Sequence, residues 1–338
     1  MCCFVVLSTG CREENSVAPK SHRRILAMMG AKGSEKSFVK SHGRLSVQGT
    51  QLVDAQGEPI ILRGVSYGWH NLWPQYWNAE SVGWLVEDWK CTVVRASMGV
   101  GPNNSYLDKP QWSRNLVKTV VDAAIFNNIY AIIDWHDHHA HEHSDEAVAF
   151  FTKMATLYGD KPNVIYEIYN EPAIVSWSEV KAYSEKIISA IRAVNPDNII
   201  LVGSPHWDQD IHIAADDPIV SAKDIMYTLH FYASTHKQSL RDRGDYALGK
   251  GLPLFVSEYG GCEASGNGPI NTDQWNAWTE WMEDRKISWV KWSISDKNET
   301  CSMLPGGAAP TGDWPANTLK PSGTYTRKLL RRLNTPQK

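Results

Sequence analysis

Two glutamates each close an apolar stretch of the chain: Glu171 in IYEIYNEP (165–172) and Glu258 in PLFVSEYGG (253–261). Each stretch reads as a strand that stops at its glutamate, because Pro172 cannot continue a normal ladder and two glycines follow Tyr259. Two strands ending in a glutamate at the same rim would aim both carboxyls into one cleft. Cleavage of a glycosidic bond needs such a pair. One carboxylic acid protonates the leaving oxygen, while the other carboxylate attacks or stabilises the anomeric carbon. Proximity also separates their titrations, which keeps one protonated and the other charged near neutral pH. Either glutamate alone reads equally well as a solvated or salt-bridged carboxylate, so the chemistry rests on the two contexts together.

Other polar residues fall at strand ends. Arg95 closes CTVVRASM, and its fork matches two carboxylate oxygens, fixing their angle and charge. His136 follows IIDW, while His230 and Tyr232 lie in YTLHFYA; each can bond a catalytic carboxylate or a sugar hydroxyl. Trp292 closes a late strand and offers a ring as the floor of a sugar site. A rival reading comes from His136, His138, His139, His141 and His143, with Asp134, Asp137 and Glu142 between them, which supply enough ligands for zinc. Their spacing follows no closed structural site and HExxH is absent, so no metal and no cofactor is expected. Neither a serine-hydrolase nucleophile elbow nor a phosphate loop is expected. Cys262 as a thiol nucleophile has no base placed for it by sequence.

Elements must position these groups. Apolar, strand-like runs recur at Ile61–Ser66, Thr92–Ala96, Tyr130–Asp134, Asn163–Ile168, Ile199–Val202, Ile225–Leu229, Leu254–Ser257 and Trp289–Trp292. Helical stripes lie between them. Val180, Tyr183, Ile187, Ile188 and Ile191 share a face before Asn195-Pro196, and Leu116, Val120, Val121 and Ile125 do so within Trp112–Asn128. Gln274–Arg285 and Tyr325–Leu333 read likewise. Eight strands alternating with helices predict an α/β fold, a (β/α)8 TIM barrel, whose strand-to-helix loops all emerge on one face. The turn-rich segment VQGTQLVDAQGEPI (47–60) predicts a short N-terminal β-hairpin, fit to plug the bottom of the barrel. A doubly wound sheet is the alternative, but no Gly-rich fingerprint opens the first βα turn.

Composition agrees. The 338 residues carry 34 basic and 37 acidic side chains, for a net charge of −3, so no basic field would attract nucleic acid or an anionic membrane. The 15 Trp and 13 Tyr are either core residues or platforms for the flat faces of sugars. Six cysteines are too few for a disulfide scaffold. Cys262 and Cys301 each follow a late strand and can bridge two loops on one face, and Cys91 reads as a buried thiol. Residues 1–40 read as a leader and disordered linker, with Ser8, Thr9 and Gly10 before Cys11 resembling a degraded or truncated lipoprotein signal. Residues 41–335 read as a single catalytic domain.

The runs GEPIILRGVSYGW, DWKCTVVRASMGV, IIDWHDHH, VIYEIYNEP, YTLHFYA, FVSEYGG and WVKWSISDKNE together resemble glycoside hydrolase family 5, in its bacterial and invertebrate endoglucanase branch, from about Leu45 to Leu333. The resemblance implies retaining double displacement on β-1,4-glucan, with Glu171 as acid/base and Glu258 as nucleophile. It further implies that Asn170 holds the 2-hydroxyl of the −1 sugar, that Arg95 orients the nucleophile and that Tyr232 donates to it. His136 and His230 would line that sugar and Trp292 would stack under it. Trp69 and Trp207 would be further platforms, and Lys297 and Glu299 would reach a negative-subsite glucose. Two departures stand out: the first βα loop reads YGWHNLW, which weakens the assignment of Trp69 and His70, and HDHHAHEH carries surplus histidine. Mannan, xyloglucan or mixed-linkage glucan remain alternative polymers, and a carbohydrate-binding barrel without catalysis is the alternative class. An insoluble substrate implies a secreted, cell-surface or periplasmic protein, taken as a monomer.

Overall fold

The computed structural model describes residues 38–335 apart from 102 and 196. The expectations for the leader and for Cys2, Cys3 and Cys11 therefore fall outside the described residues. The described chain opens with a helix, Phe38–His42, so the last residues of the stretch expected to be disordered are helical, with Val39 buried. A two-stranded antiparallel hairpin follows, β1 (Ser46–Gln48) and β2 (Gln51–Val53).

Eight parallel strands then close on themselves. They are β3 (Arg63–Tyr67), β4 (Val93–Gly99), β5 (Tyr130–His136), β6 (Val164–Glu167), β7 (Ile200–Val202), β8 (Ile225–Thr228), β10 (Leu254–Gly260) and β11 (Trp289–Ile294), with β11 pairing back onto β3. A two-residue strand, β9 (Phe231–Tyr232), continues beside the end of β10 at the rim. This is the (β/α)8 barrel expected from the alternation of runs, each strand falling within a few residues of its predicted span.

Strands buried on both faces are apolar along most of their length, and two separate clusters result. Leu62, Val93, Tyr130, Ile132, Ile165, Leu201, Met226, Phe255 and Val290 fill the interior together with Val39, Leu45, Leu52 and Ile60, so the first helix and the hairpin pack against the interior of the barrel. Backbone N–H of Val47 donates to Asp224, and the Gln51 amide to the carbonyl of Arg285, both in segments that precede strands. The hairpin therefore closes the end of the barrel opposite the strand-end glutamates. The larger cluster lies between strands and helices.

The helix Trp177–Arg192 shows how local sequence sets an element. Ser176 accepts from the backbone of Glu179, whose carboxylate reaches back to the Ser176 N–H, a reciprocal cap. Val180, Tyr183, Ile187, Ile188 and Ile191 all bury on its inner face, as their spacing required.

Cys262 and Cys301 form a disulfide, with Cα atoms 5.9 Å apart and a separation of 39 positions in sequence. Replacing both by serine removes a constraint on the unfolded chain worth roughly 3–4 kcal/mol. The expected result is a denaturation midpoint lowered accordingly; a midpoint equal to that of the parent chain would contradict this. Cys91 is a buried free thiol, and burial pushes it above the usual thiol range.

Candidate active site

β6 runs on through Ile168 and Tyr169 into Asn170 and Glu171, and β10 contains Glu258 near its C-terminal end. One carboxylate oxygen of each glutamate and one ring nitrogen of His230 all lie within 4.8 Å of one another. The expected convergence of two strand-end carboxyls is thus realised.

Arg95, wholly buried on β4, is the hub beneath them. Its Nη1 donates to Glu258 Oε2 at 3.0 Å, its Nε and Nη2 donate to the two oxygens of Glu167 at 2.7 and 3.0 Å, and Nη2 also reaches Asn170 Oδ1 at 2.6 Å. Asp134 Oδ2 lies 2.9 Å from Nη2. Burial disfavours the guanidinium charge, but Asp134, Glu167 and Glu258 outweigh it and hold the group well above the ordinary arginine range. The second oxygen of Glu258 accepts from Tyr232 Oη at 2.7 Å. Both oxygens of Glu258 therefore face donors, the bonding of an ionised carboxylate.

Glu171 sits differently. Its backbone lies in the left-handed region at φ +49°, as do His206, Trp207 and Asp208 at +59°, +56° and +59°. Such values are uncommon for residues with side chains and persist only where the surroundings impose them. Here Asp208 accepts from the N–H of Glu171 and of Ser204, and the Trp207 N–H donates to Pro172 O. His230 Nδ1 lies 3.1 Å from Glu171 Oε1, and His138 Nδ1 lies 3.6 Å from Oε2. Burial raises the Glu171 carboxyl above its ordinary value, against the opposing charges of His138 and Arg95. Burial likewise pushes Asp134 up to about 7 and His230 down to about 4.

The remaining sequence-derived residues gather around this pair. His136 is bonded to Asp134 at 2.7 Å and stacks on Trp292 with centroids 5.3 Å apart and planes 10° from parallel. Trp69 meets the edge of His136 at 5.0 Å. The disulfide, Trp292, Trp69 and Tyr232 form one packed group. Trp207 lines a cleft of about 420 Å³ together with Glu171, His206, Gln209, His230, Tyr232 and His236. Asn170 is buried, and its Nδ2 has no hydrogen-bond partner among the described residues. Lys297 and Glu299 pair with each other at 2.5 Å, and both backbones accept from Lys320, so their bonds run to one another rather than to the glutamates.

The histidine run does not assemble as one centre. His141 bonds Tyr169, His143 bonds Asp137, and His138 turns to the carbonyl of Glu171. His70 is buried between Ser113 and the Gly99 N–H and serves the fold. GVSYG at 64–68 does carry the GxSxG spacing, yet Ser66 lies inside β3, buried and bonded to Ser97. It occupies a strand, not a strand-to-helix elbow, so no exposed nucleophile results.

The sequence did not single out Glu167, Asp208 or Ser257. The one signal for Glu167 is a carboxylate inside an otherwise apolar strand, where a charge must have a partner.

A family model described as Cellulase (glycosyl hydrolase family 5) matches residues 53–298. The chain belongs to glycosyl hydrolase family 5. Among relatives of this family 5 chain, Endoglucanase Z of Dickeya dadantii is 47% identical over 261 residues, covering 76% of this chain and 61% of the relative. The chain thus spans about three-fifths of the length of that relative. A solved structure from Cytophaga hutchinsonii is 46% identical with a TM-score of 0.87, covering 88% of this chain and 98% of that one. The catalytic domain of a Thermobifida fusca endoglucanase is 33% identical with a TM-score of 0.83, covering 88% and 100%.

Proposed function

We propose that the chain is a retaining endo-β-1,4-glucanase that hydrolyses internal bonds of cellulose and related β-glucans. The observation that carries this reading is the approach of the two strand-end carboxyls to within 4.8 Å. Retaining glycosidases place the pair ~5–5.5 Å apart, whereas inverting ones leave ~6.5–9.5 Å for a water molecule. The relatives named endoglucanase support the choice of polymer.

In this reading Glu258, held by Arg95 and Tyr232, attacks the anomeric carbon, and Glu171 protonates the departing oxygen. A glycosyl ester on Glu258 results. Glu171, now deprotonated, takes a proton from water as its oxygen attacks the same carbon, the ester bond breaks, and two inversions give net retention. In the same reading Asn170 Nδ2 would donate to the 2-hydroxyl, Trp292 would floor the sugar, and Trp69 and Trp207 would flank it. Lys297 and Glu299 would contact a more distant glucose. The chemistry asks for no cofactor.

Reducing-end release from carboxymethyl cellulose, galactomannan and xylan in parallel tests the reading. Strong release from the cellulose derivative alone is expected; dominant release from galactomannan or xylan would replace the polymer, and none from any would leave a binding barrel. We further propose one catalytic barrel over 41–335 acting as a monomer. Secretion or surface display of the enzyme follows because insoluble polymer cannot enter a cell. No described helix is long and apolar enough to cross a membrane.

The pH dependence follows from Glu171. Burial raises its carboxyl above the ordinary 4.5, so the active, protonated form survives above that pH and is lost as pH rises through the raised value. The alkaline limb of kcat/KM on cello-oligosaccharides should therefore lie above 4.5 and be absent in Glu171→Ala. A limb unchanged in that variant would show that another group sets it.

A further inference from the structure

A line of hydrogen bonds runs from Glu167 to Glu171 through Ser257, inside β10, and His230, just after β8. Ser257 Oγ lies 2.8 Å from Glu167 Oε1, His230 Nε2 lies 2.9 Å from Ser257 Oγ, and His230 Nδ1 lies 3.1 Å from Glu171 Oε1. Glu167, Ser257 and His230 are all buried, so water does not complete these bonds from outside.

Three links require three hydrogens. The Ser257 hydroxyl brings one. The imidazole brings one more, because burial keeps His230 neutral at ordinary pH. The third must sit at an end of the line, on Glu167 or on Glu171. At the Glu167 end, Arg95 donates to both oxygens, which favours the ionised carboxylate. Burial pushes Glu167 upward and the guanidinium opposes it. No such fork reaches Glu171, whose carboxyl burial raises. The third hydrogen therefore belongs to Glu171. Glu167 then accepts from Ser257, Ser257 accepts from Nε2–H, and Nδ1 presents its lone pair to the Glu171 proton.

We propose that Ser257 is a positioning residue for the reaction, locking His230 in its Nε2–H form so that Nδ1 accepts the proton of Glu171. A hydrogen bond made to the neutral form of an acid favours that form. The other groups facing this pair do not supply the same bond. Asp208 Oδ2 lies 3.4 Å from Nδ1, further than Glu171, and already accepts the Glu171 N–H. His138 stands at 3.6 Å on the opposite oxygen, while Arg95 acts on Glu171, and Glu258 on His230, through charge rather than through a bond to Nδ1. Without the Ser257 hydroxyl, Nε2–H loses its acceptor. The ring proton then favours Nδ1, where it donates to ionised Glu171 and weakens the acid.

The inference rests on the acid role proposed for Glu171, and two measurements separate their failures. The first is nitrogen-15 NMR of His230 in the free wild-type enzyme, which reads the tautomer whatever the protein hydrolyses. The second is the pH profile of kcat/KM on cello-oligosaccharides for wild type, Ser257→Ala and Ser257→Thr. We expect an Nε2–H ring in wild type. Ser257→Ala should move the alkaline limb down by about one pH unit, the effect of losing one hydrogen bond that favours the acid form. Ser257→Thr, which keeps the hydroxyl, should restore the limb. Cleavage of dinitrophenyl cellobioside, whose leaving group needs no proton, should be nearly unchanged in Ser257→Ala and shows that the variant is folded. An Nδ1–H ring in wild type, or a limb unmoved in Ser257→Ala, overturns the proposal. A wild type with no activity on cello-oligosaccharides overturns the acid role instead.

Discussion

Glu258→Gln is expected to lose on the order of 10⁴-fold or more in kcat on soluble cellulose derivatives, because no covalent intermediate can form without the nucleophile. The geometry makes this substitution informative. Arg95 Nη1 and Tyr232 Oη each hold one oxygen of Glu258, so the amide keeps the shape, its oxygen able to accept from Arg95 and its NH₂ to donate to the Tyr232 hydroxyl. The substitution removes the carboxylate charge beside buried Arg95, and the cost of that falls on stability, which denaturation measures separately. Activity lost far beyond any loss of fold would assign the chemistry to Glu258. A variant that kept near-parental turnover on long cellulose chains would remove Glu258 from the mechanism.

Glu171→Ala is expected to behave in a way no structural role could copy. On cello-oligosaccharides, whose leaving group is a poor one, loss of the proton donor should cost about 10²–10⁴-fold. On dinitrophenyl cellobioside the first step needs no proton, and the ester on Glu258 should accumulate because no base activates water. Azide attacks that ester without giving up a proton, so added azide should restore turnover and release β-cellobiosyl azide. His230 at 3.1 Å and His138 at 3.6 Å remain in place around the vacated position. If azide failed to accelerate the variant, or yielded the α-azide, Glu171 would not be the acid/base.

Much of this architecture is legible in the residues themselves. Strands of a closed barrel are buried on both sides, so each leaves a continuous apolar run, and a polar residue at its end stands out. Glu171, Glu258 and His230 were visible for that reason, whereas Arg95, expected to end its strand, lies third of seven residues in β4 and stood out as a charge within an apolar run. The Cys262–Cys301 bridge follows from two loops that leave adjacent strands on one face. Helices were less evident where the stripe is thin. Gln238–Gly249 buries only Leu240, Arg241, Gly244 and Ala247, and so carries little periodic signal.

The unread part of the site lies in residues whose meaning is set across strands. Glu167 precedes Glu171 by one helical turn in sequence count, yet it points to Arg95 within the barrel and not into the cleft. Asp208 matters because it accepts the N–H of a residue 37 positions earlier. Ser257 is an ordinary strand serine until Glu167 and His230 are found on either side of it. Register and strand order create these juxtapositions, and neither is written in any local motif. The histidine run shows the reverse: a conspicuous cluster in sequence that the turn after β5 distributes among separate partners.

The most direct test of the central claim is to trap the intermediate. A 2-deoxy-2-fluoro-β-cellobioside with a dinitrophenyl leaving group slows both steps but the second more, so the ester survives for mass analysis of peptides. The account predicts one fluorocellobiosyl group per chain, attached to Glu258, with activity returning as the ester turns over. Label on another residue, or no label while the natural substrate yields the α-anomer first, would contradict it.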